Sequence, residues 1–364
     1  MTKQKIYLVS IESNTGTDRV IEDLNSRLAE LNLNSEIIQP TKIIEHYLTG
    51  MWGINKFKIP GGRYFSSLAV EFFLLMELLK CKENSVIVVT FIYPLWSPLV
   101  KLLKLSGRLK YFYFLPDMMW KKKYVKNIRW AIHGFLSNFG VKNSNLILVP
   151  TASAFLDCIT FLDVTNHKKI EFLSTPIDFK YWDRILPIET KGLRTKKYIF
   201  HPAGTKPSKN TYQAIEAFQK MNIDDLYFVC LKNATNSEKG APKAYENRVI
   251  YLSDITDEEM KWLYQNCLFV SVVSVEEGVG LPVLEAKHFE KLVVTSFISA
   301  LPEVAGPKEI FTNPFDVEAI KRAFLSAYKQ TTLMGRVDGD FMGEVDDYGK
   351  ECLLEIKKIF EHKS

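Results

Sequence analysis

The stretch YIFHPAGTKPSKNTYQAIEAFQKMNIDDLYFVCL, Tyr198–Leu231, decides the fold. YIF is a β-rich apolar run that breaks at Pro202 and Gly204; AIEAFQKM has helical spacing; DLYFVCL is apolar and β-rich again. Strand, loop, helix and strand in that order form a βαβ unit, whose two strands are parallel. The pattern continues toward the C-terminus through RVIYLS, DEEMKWLYQNC, LFVSVVS, LPVLEAKHF and KLVVTS. Toward the N-terminus a comparable series runs through KIYLVSI, VIEDLNSRLAELNL, EFFLLMELLK, SVIVVTFIYPL, LKYFYFLP, NLILVP and ASAFLDCITFL. Strands that are apolar throughout, rather than alternating, belong to parallel sheets covered on both faces.

Two doubly wound α/β halves are therefore expected. The 364 residues suit two domains at about 150 residues each. After Pro176 the text IDFKYWDRILPIETKGLRTKK is polar and aperiodic, with Pro187 and Gly192, and reads as a linker. The expected division is residues 1–182, a linker at 183–196, a second domain at 197–340 and a final helix at 341–364 that packs back on the first domain. In that helix Leu353, Leu354, Ile356, Ile359 and Phe360 fall at helical spacing.

Composition narrows the function classes. With 47% hydrophobic and 24% charged residues the chain reads as globular, and no stretch approaches the roughly 18 apolar residues of a spanning helix. MTKQKIYLVSIESN turns polar too soon for a signal peptide. The five cysteines are scattered, without a CxxC spacing, which argues against disulfides or a zinc ribbon and for a reducing cytoplasm. From Lys42 to Lys142 sixteen Lys or Arg face five acids, whereas the rest of the chain has 31 basic and 37 acidic residues. A basic segment on an otherwise acidic chain points to an anionic partner. WKKKYVKNIRWAI interleaves Lys121, Lys122, Lys123, Lys126 and Arg129 with aromatics, and LVKLLKLSGRLKYF adds Lys101, Lys104, Arg108 and Lys110. This suits an interface with anionic lipid. No RNP or helix-turn-helix text supports nucleic acid.

The chemistry concentrates in VEEGVGLPVLEAKHFEKLVVTSFISALPEVAG, Val275–Gly306. Gly278 and Gly280 follow the strand LFVSVVS and let the backbone turn sharply and approach a ligand, while the N-terminal amides of the helix in VLEAKHF favour phosphate. Glu285 stands about one turn inside that helix, where a carboxylate can accept two hydrogen bonds from adjacent ribose hydroxyls. These residues resemble the retaining nucleotide-sugar glycosyltransferases of the GT-B fold, in the large family 4, also called glycosyl transferases group 1. That family's Glu, seven residues, Glu motif is written around EGxGLPxLEA; here it is Glu277, Gly278, Gly280, Leu281, Pro282, Leu284, Glu285 and Ala286. SALPEVAG with Glu303 and Gly306, DEEMKWLYQNC, and PIDFKYW at the linker also look like the family's text.

The resemblance implies two Rossmann-like domains facing across a cleft, and transfer of a sugar from a nucleotide diphosphate donor to a glycan or lipid-linked acceptor with retention. It places Glu277 on the transferred sugar, and the diphosphate near Lys209, with the backbone of Gly204, Val279, Gly280 and Leu281 close by. The family's phosphate-binding Arg falls on Thr205, with Lys206 as the nearest cation. The glycine-rich loop of the first domain is reduced to Gly16, and Asp117 stands nearest to the family's usual His; His133 is a more distant substitute. GxGxxG is absent, which disfavours a dehydrogenase. No cofactor and no metal are implied. An epimerase would lack EGVGLPVLEA, and a phosphorylase would need a longer chain; a non-catalytic glycan-binding or partner-stabilising subunit is the other reading.

Overall fold

The computed structural model describes residues 5–9, 16–39, 76–81, 85–89, 109–115, 138, 141–162, 169–190, 192–232, 248–333 and 341–362. By contacts the chain divides into one unit of Met1–Asp178 with Gly349–Ser364 and a second of Phe179–Tyr348.

The first unit contains β1 (Ile6–Val9), α1 (Gly16–Glu30), β2 (Ser35–Ile38), β3 (Ser85–Val89), β4 (Leu109–Phe114), β5 (Leu146–Val149), α2 (Ala152–Leu162) and β6 (Ile170–Phe172). Its sheet has the order β2-β1-β3-β4-β5-β6, with every pairing parallel. All residues of β1, β3 and β5 are buried. A strand buried on both faces is what an unbroken Val, Ile and Leu run demands.

The second unit begins with α3 (Phe179–Arg184), followed by β7 (Lys197–His201), a 3₁₀ turn at Pro207–Lys209, α4 (Thr211–Gln219), β8 (Leu226–Leu231) and β9 (Val249–Leu252). It continues with α5 (Asp257–Asn266), β10 (Phe269–Val272), α6 (Leu281–His288), β11 (Val293–Ser296), α7 (Leu301–Ala305), β12 (Ile310–Thr312) and α8 (Val317–Leu333). Its parallel sheet has the order β12-β11-β10-β7-β8-β9. Phe218, Phe228, Phe269 and Phe324 form its aromatic core. α5 opens with a capping box: the Glu259 amide donates to Thr256 Oγ1 at 3.3 Å, and the Thr256 amide donates to Glu259 Oε2 at 3.1 Å.

The division at Asp178 differs from the sequence expectation because part of the polar text is anchored. Trp182 is fully buried, its ring 5.5 Å from Phe289 and 6.5 Å from Tyr264 between centroids. Buried Lys261 donates to the carbonyls of Trp182 at 2.6 Å and Ile185 at 2.9 Å. These two charge-assisted bonds hold the end of α3, so Lys261→Met, which removes both, should destabilise the protein by about 1–3 kcal/mol. Urea unfolding monitored by tryptophan fluorescence measures it.

The last helix, α9 (Phe341–His362), spans the boundary between the units. In the first unit its buried residues are Cys352, Ile356, Ile359 and Phe360, with the Phe360 ring 5.9 Å from Phe112 and Glu355 accepting from the Ser174 amide at 2.6 Å. Leu354, expected on the packed face, is 69% exposed, and Cys352 takes the inward position. In the second unit Glu344 pairs with Lys287 at 2.6 Å and Lys308 at 3.2 Å. Among the described residues, no helix is long and apolar enough to cross a membrane.

Candidate functional site

In doubly wound sheets ligands gather at the carboxyl ends of the strands. In the second unit the loops leaving β7 and β10, which are neighbouring strands, carry Gly204–Lys209 and Glu277–Gly280. Lys209 Nζ lies 2.6 Å from Glu277 Oε1, the lysine side chain 28% and the glutamate side chain 10% exposed. Ser274 Oγ donates to the same carboxylate oxygen at 2.8 Å. The backbone of Glu277 is fixed as well. Its amide donates to Ser299 Oγ at 3.1 Å, and the Ser299 hydroxyl donates to its carbonyl at 2.7 Å.

Lys209 is presented by an unusual backbone. Asn210 follows it in the left-handed region, φ 58°, where asparagine is tolerated better than most residues. Its buried side chain donates to the carbonyls of Val273 at 3.1 Å and Pro314 at 2.7 Å. The Val275 amide donates to the Ser208 carbonyl at 2.9 Å, which ties the two ligand-facing loops together.

Gly280 has φ 93° and precedes α6, with Pro282 in the first turn. One turn further on, half-buried Glu285 accepts a 2.7 Å hydrogen bond from Tyr264 on its Oε2. An ionised carboxylate only accepts hydrogen bonds and offers about four lone-pair positions, the chemistry a diol needs. Of the other candidates, Val279 is buried and Leu281 half-buried. Thr205 is half-buried and Lys206 exposed, while the Gly204 carbonyl accepts from Thr211 Oγ1 at 2.7 Å.

Glu277 and Lys209 thus meet directly, and the Gly278–Gly280 turn leads from Glu277 into the helix that carries Glu285, all in one unit. Gly16 is the first residue of α1 in the first unit. Asp117, His133, Lys101–Arg108 and Lys121–Arg129 lie outside the described residues. Sequence reasoning missed Asn210, Tyr264, Ser274 and Ser299. Asn210 carried a readable signal, as an asparagine directly before a helix; Ser274 reaches Glu277 locally, three residues away, while Tyr264 and Ser299 act through tertiary contacts. Among the described residues, no group of three or more His, Cys, Asp or Glu side chains is arranged to hold a metal ion. The five cysteines are free and buried.

Residues 188–337 match the family described as glycosyl transferases group 1. The serotype-specific mannosyltransferase WbdA of Escherichia coli is 25% identical over 202 residues, which are 51% of this chain and 25% of that protein. The O-antigen chain mannosyltransferase B of Escherichia coli is 37% identical over 160 residues, 39% of this chain and 40% of that one. The chain spans about a quarter of the length of the WbdA proteins it matches. A sucrose-phosphate synthase from Thermosynechococcus elongatus aligns over 99% of both chains with a TM-score of 0.76 at 13% identity. A glycosyltransferase from Rickettsia africae aligns over 100% of both with a TM-score of 0.70 at 14% identity. The chain has the GT-B fold of two Rossmann-like α/β domains and is related to the glycosyl transferases group 1.

Proposed function

We propose that the chain is a retaining glycosyltransferase that moves a hexosyl group, mannosyl in the first instance, from a nucleotide diphosphate donor to a glycan or lipid-linked acceptor in polysaccharide assembly. The observation that carries this reading is the 2.6 Å pairing of Lys209 with Glu277, because it joins the loop after β7 to the glutamate motif after β10. The relatives' printed activity supports mannose.

In this reading the donor diphosphate takes over Lys209 from Glu277, and the freed carboxylate turns to the hydroxyls of the transferred sugar. The positive end of α6 and the Lys209 ammonium stabilise the departing diphosphate. Glu285 accepts from the two ribose hydroxyls. The family resemblance supports retention by front-face attack. Purified protein should release nucleotide diphosphate from GDP-mannose faster than from UDP-glucose when acceptor glycan is added. A non-catalytic subunit releases none from either, and that result would refute the proposal.

We also propose that the basic stretch Lys101–Arg129 holds the protein on anionic membrane, which would bring it to a lipid-linked acceptor at the cytoplasmic face. Sedimentation with vesicles containing anionic lipid should carry the protein down at low salt, and less so as salt shortens the screening length below about 8 Å. Replacing Lys121, Lys122 and Lys123 by Gln should release it while sparing transfer to a soluble acceptor. Indifference to anionic vesicles at low salt would favour a soluble acceptor.

A further inference from the structure

His201 closes β7 with its imidazole fully buried and stacked on Phe228, 5.6 Å between centroids. Nδ1 lies 2.9 Å from the Ser271 carbonyl oxygen and 3.3 Å from Ser271 Oγ, and Nε2 lies 3.1 Å from Thr211 Oγ1. Thr211 Oγ1 in turn lies 2.7 Å from the Gly204 carbonyl oxygen. A carbonyl oxygen only accepts, and a threonine hydroxyl has one proton to give. Nδ1, at its shorter contact, therefore carries a proton. If the ring is neutral, Nε2 and the Gly204 carbonyl compete for the single Thr211 proton. If the ring is charged, every contact is satisfied: Nε2–H donates to Thr211 Oγ1, and the hydroxyl donates to Gly204.

The surroundings oppose that charge. Burial and the nearby Lys209 ammonium push the His201 pKa down to about 4. Lys209 is the charged group facing the ring, and its own partner is Glu277. From β10 and α4 the ring meets the neutral Ser271 and Thr211. On β8 the Cys230 thiol, in register with His201, is kept protonated by burial. Gly204 and Lys209 are the two ends of the loop assigned to the donor diphosphate, so the hydrogen-bond conflict and the opposing charge both sit at that loop.

We infer that anion binding at the Gly204–Lys209 loop is coupled to protonation of buried His201, with the Thr211 hydroxyl, turning between Nε2 and the Gly204 carbonyl, as the link. A doubly charged anion adds negative charge beside Lys209 beyond that of Glu277, and Nε2 takes one proton from solvent. The ring then donates to Thr211, whose hydroxyl is committed to Gly204 and fixes the loop. When the anion leaves, the proton returns to solvent. His201 is a positioning residue here, acting on the ligand through Thr211 and Gly204. Coupling is reciprocal. Because the pKa is higher with the anion bound, anion affinity rises as pH falls through the bound-state pKa and levels off below the free value near 4. The inference rests on the reading of this loop as the diphosphate site and adds a proton to it.

The test follows the His201 ring nitrogens by NMR over about pH 3–8, in protein alone, with sulfate, and with GDP-mannose. Sulfate and the diphosphate diester both keep their charge across that range, so a shift belongs to the protein. Each anion should raise the His201 midpoint by about one pH unit, equivalent to tenfold tighter binding to the protonated form. Thr211→Val, which retains the ring and the lysine, should lose at least half of the rise. A midpoint that stays put while the loop amides respond to an anion would overturn the coupling, as would failure of both anions to perturb the loop. A rise with sulfate but no binding of GDP-mannose leaves the coupling intact and removes the mannosyl donor. Binding of GDP-mannose with an unmoved midpoint does the reverse.

Discussion

Lys209→Ala should lower turnover by about 10²–10³-fold, the usual cost of deleting one preorganised charge stabiliser. Two effects act in the same direction. The ammonium that would stabilise the departing diphosphate is gone, and Glu277, which loses its 2.6 Å partner, keeps only Ser274 on that oxygen among the contacts described above. An uncompensated carboxylate then faces the incoming phosphates and repels them, so affinity for free nucleotide diphosphate should fall too. Steady-state diphosphate release together with titration of the free nucleotide measures both. Turnover within threefold of the unmodified protein would take Lys209 out of the site.

Gly280→Ala should cost about 2–5 kcal/mol of stability through two separable terms. At φ 93° an L side chain is strained, about 1–2 kcal/mol. A Cβ there would also lie 2.8 Å from Leu301 Cδ2 and 3.3 Å from Val304 Cγ2, and Leu301 is fully buried, so relief means repacking at about 1–3 kcal/mol. Gly192→Ala separates the terms. Gly192 has φ 81° with nothing within 4 Å of a Cβ, so it should show the strain alone. Comparing the denaturation midpoints checks the difference; equal losses would mean that the contact with α7 adds nothing.

What could be read from the sequence was what burial writes into it. β3 is legible because all five residues of SVIVV are buried, and the turn into α6 is legible because Gly280 and Pro282 are needed where they stand. β2, β6 and β12 were passed over: each is a three- or four-residue strand at a sheet edge, and β2 and β6 carry a glutamate. Short, charged edges blunt unwanted pairing and carry little hydrophobic pattern. Trp182 was hidden in polar text because its burial depends on Tyr264 and Phe289, distant in sequence. In the site, Glu277, Lys209 and Glu285 carried their own motif. Ser274 and Tyr264, whose hydroxyls hold the two carboxylates, and Ser299, whose hydroxyl holds the Glu277 backbone, did not, since such a hydroxyl has no local signature. The Thr205 and Lys206 question has a structural side: Lys206 is exposed and Thr205 half-buried, so Lys209 is the cation that meets Glu277.

In the proposed function Glu285 and Glu277 divide one nucleotide-sugar between them, and calorimetric titration of GDP-mannose and of free GDP into Glu285→Ala and Glu277→Ala separates the two roles. Glu285→Ala should weaken both ligands alike, by about 1.5–3 kcal/mol for charge-assisted bonds to the ribose. Glu277→Ala should weaken GDP-mannose while leaving free GDP bound at least as tightly as by the unmodified protein, because Lys209 then has no competing carboxylate. Unchanged affinity of Glu285→Ala for both ligands, or equal losses of GDP in the two variants, would contradict the account.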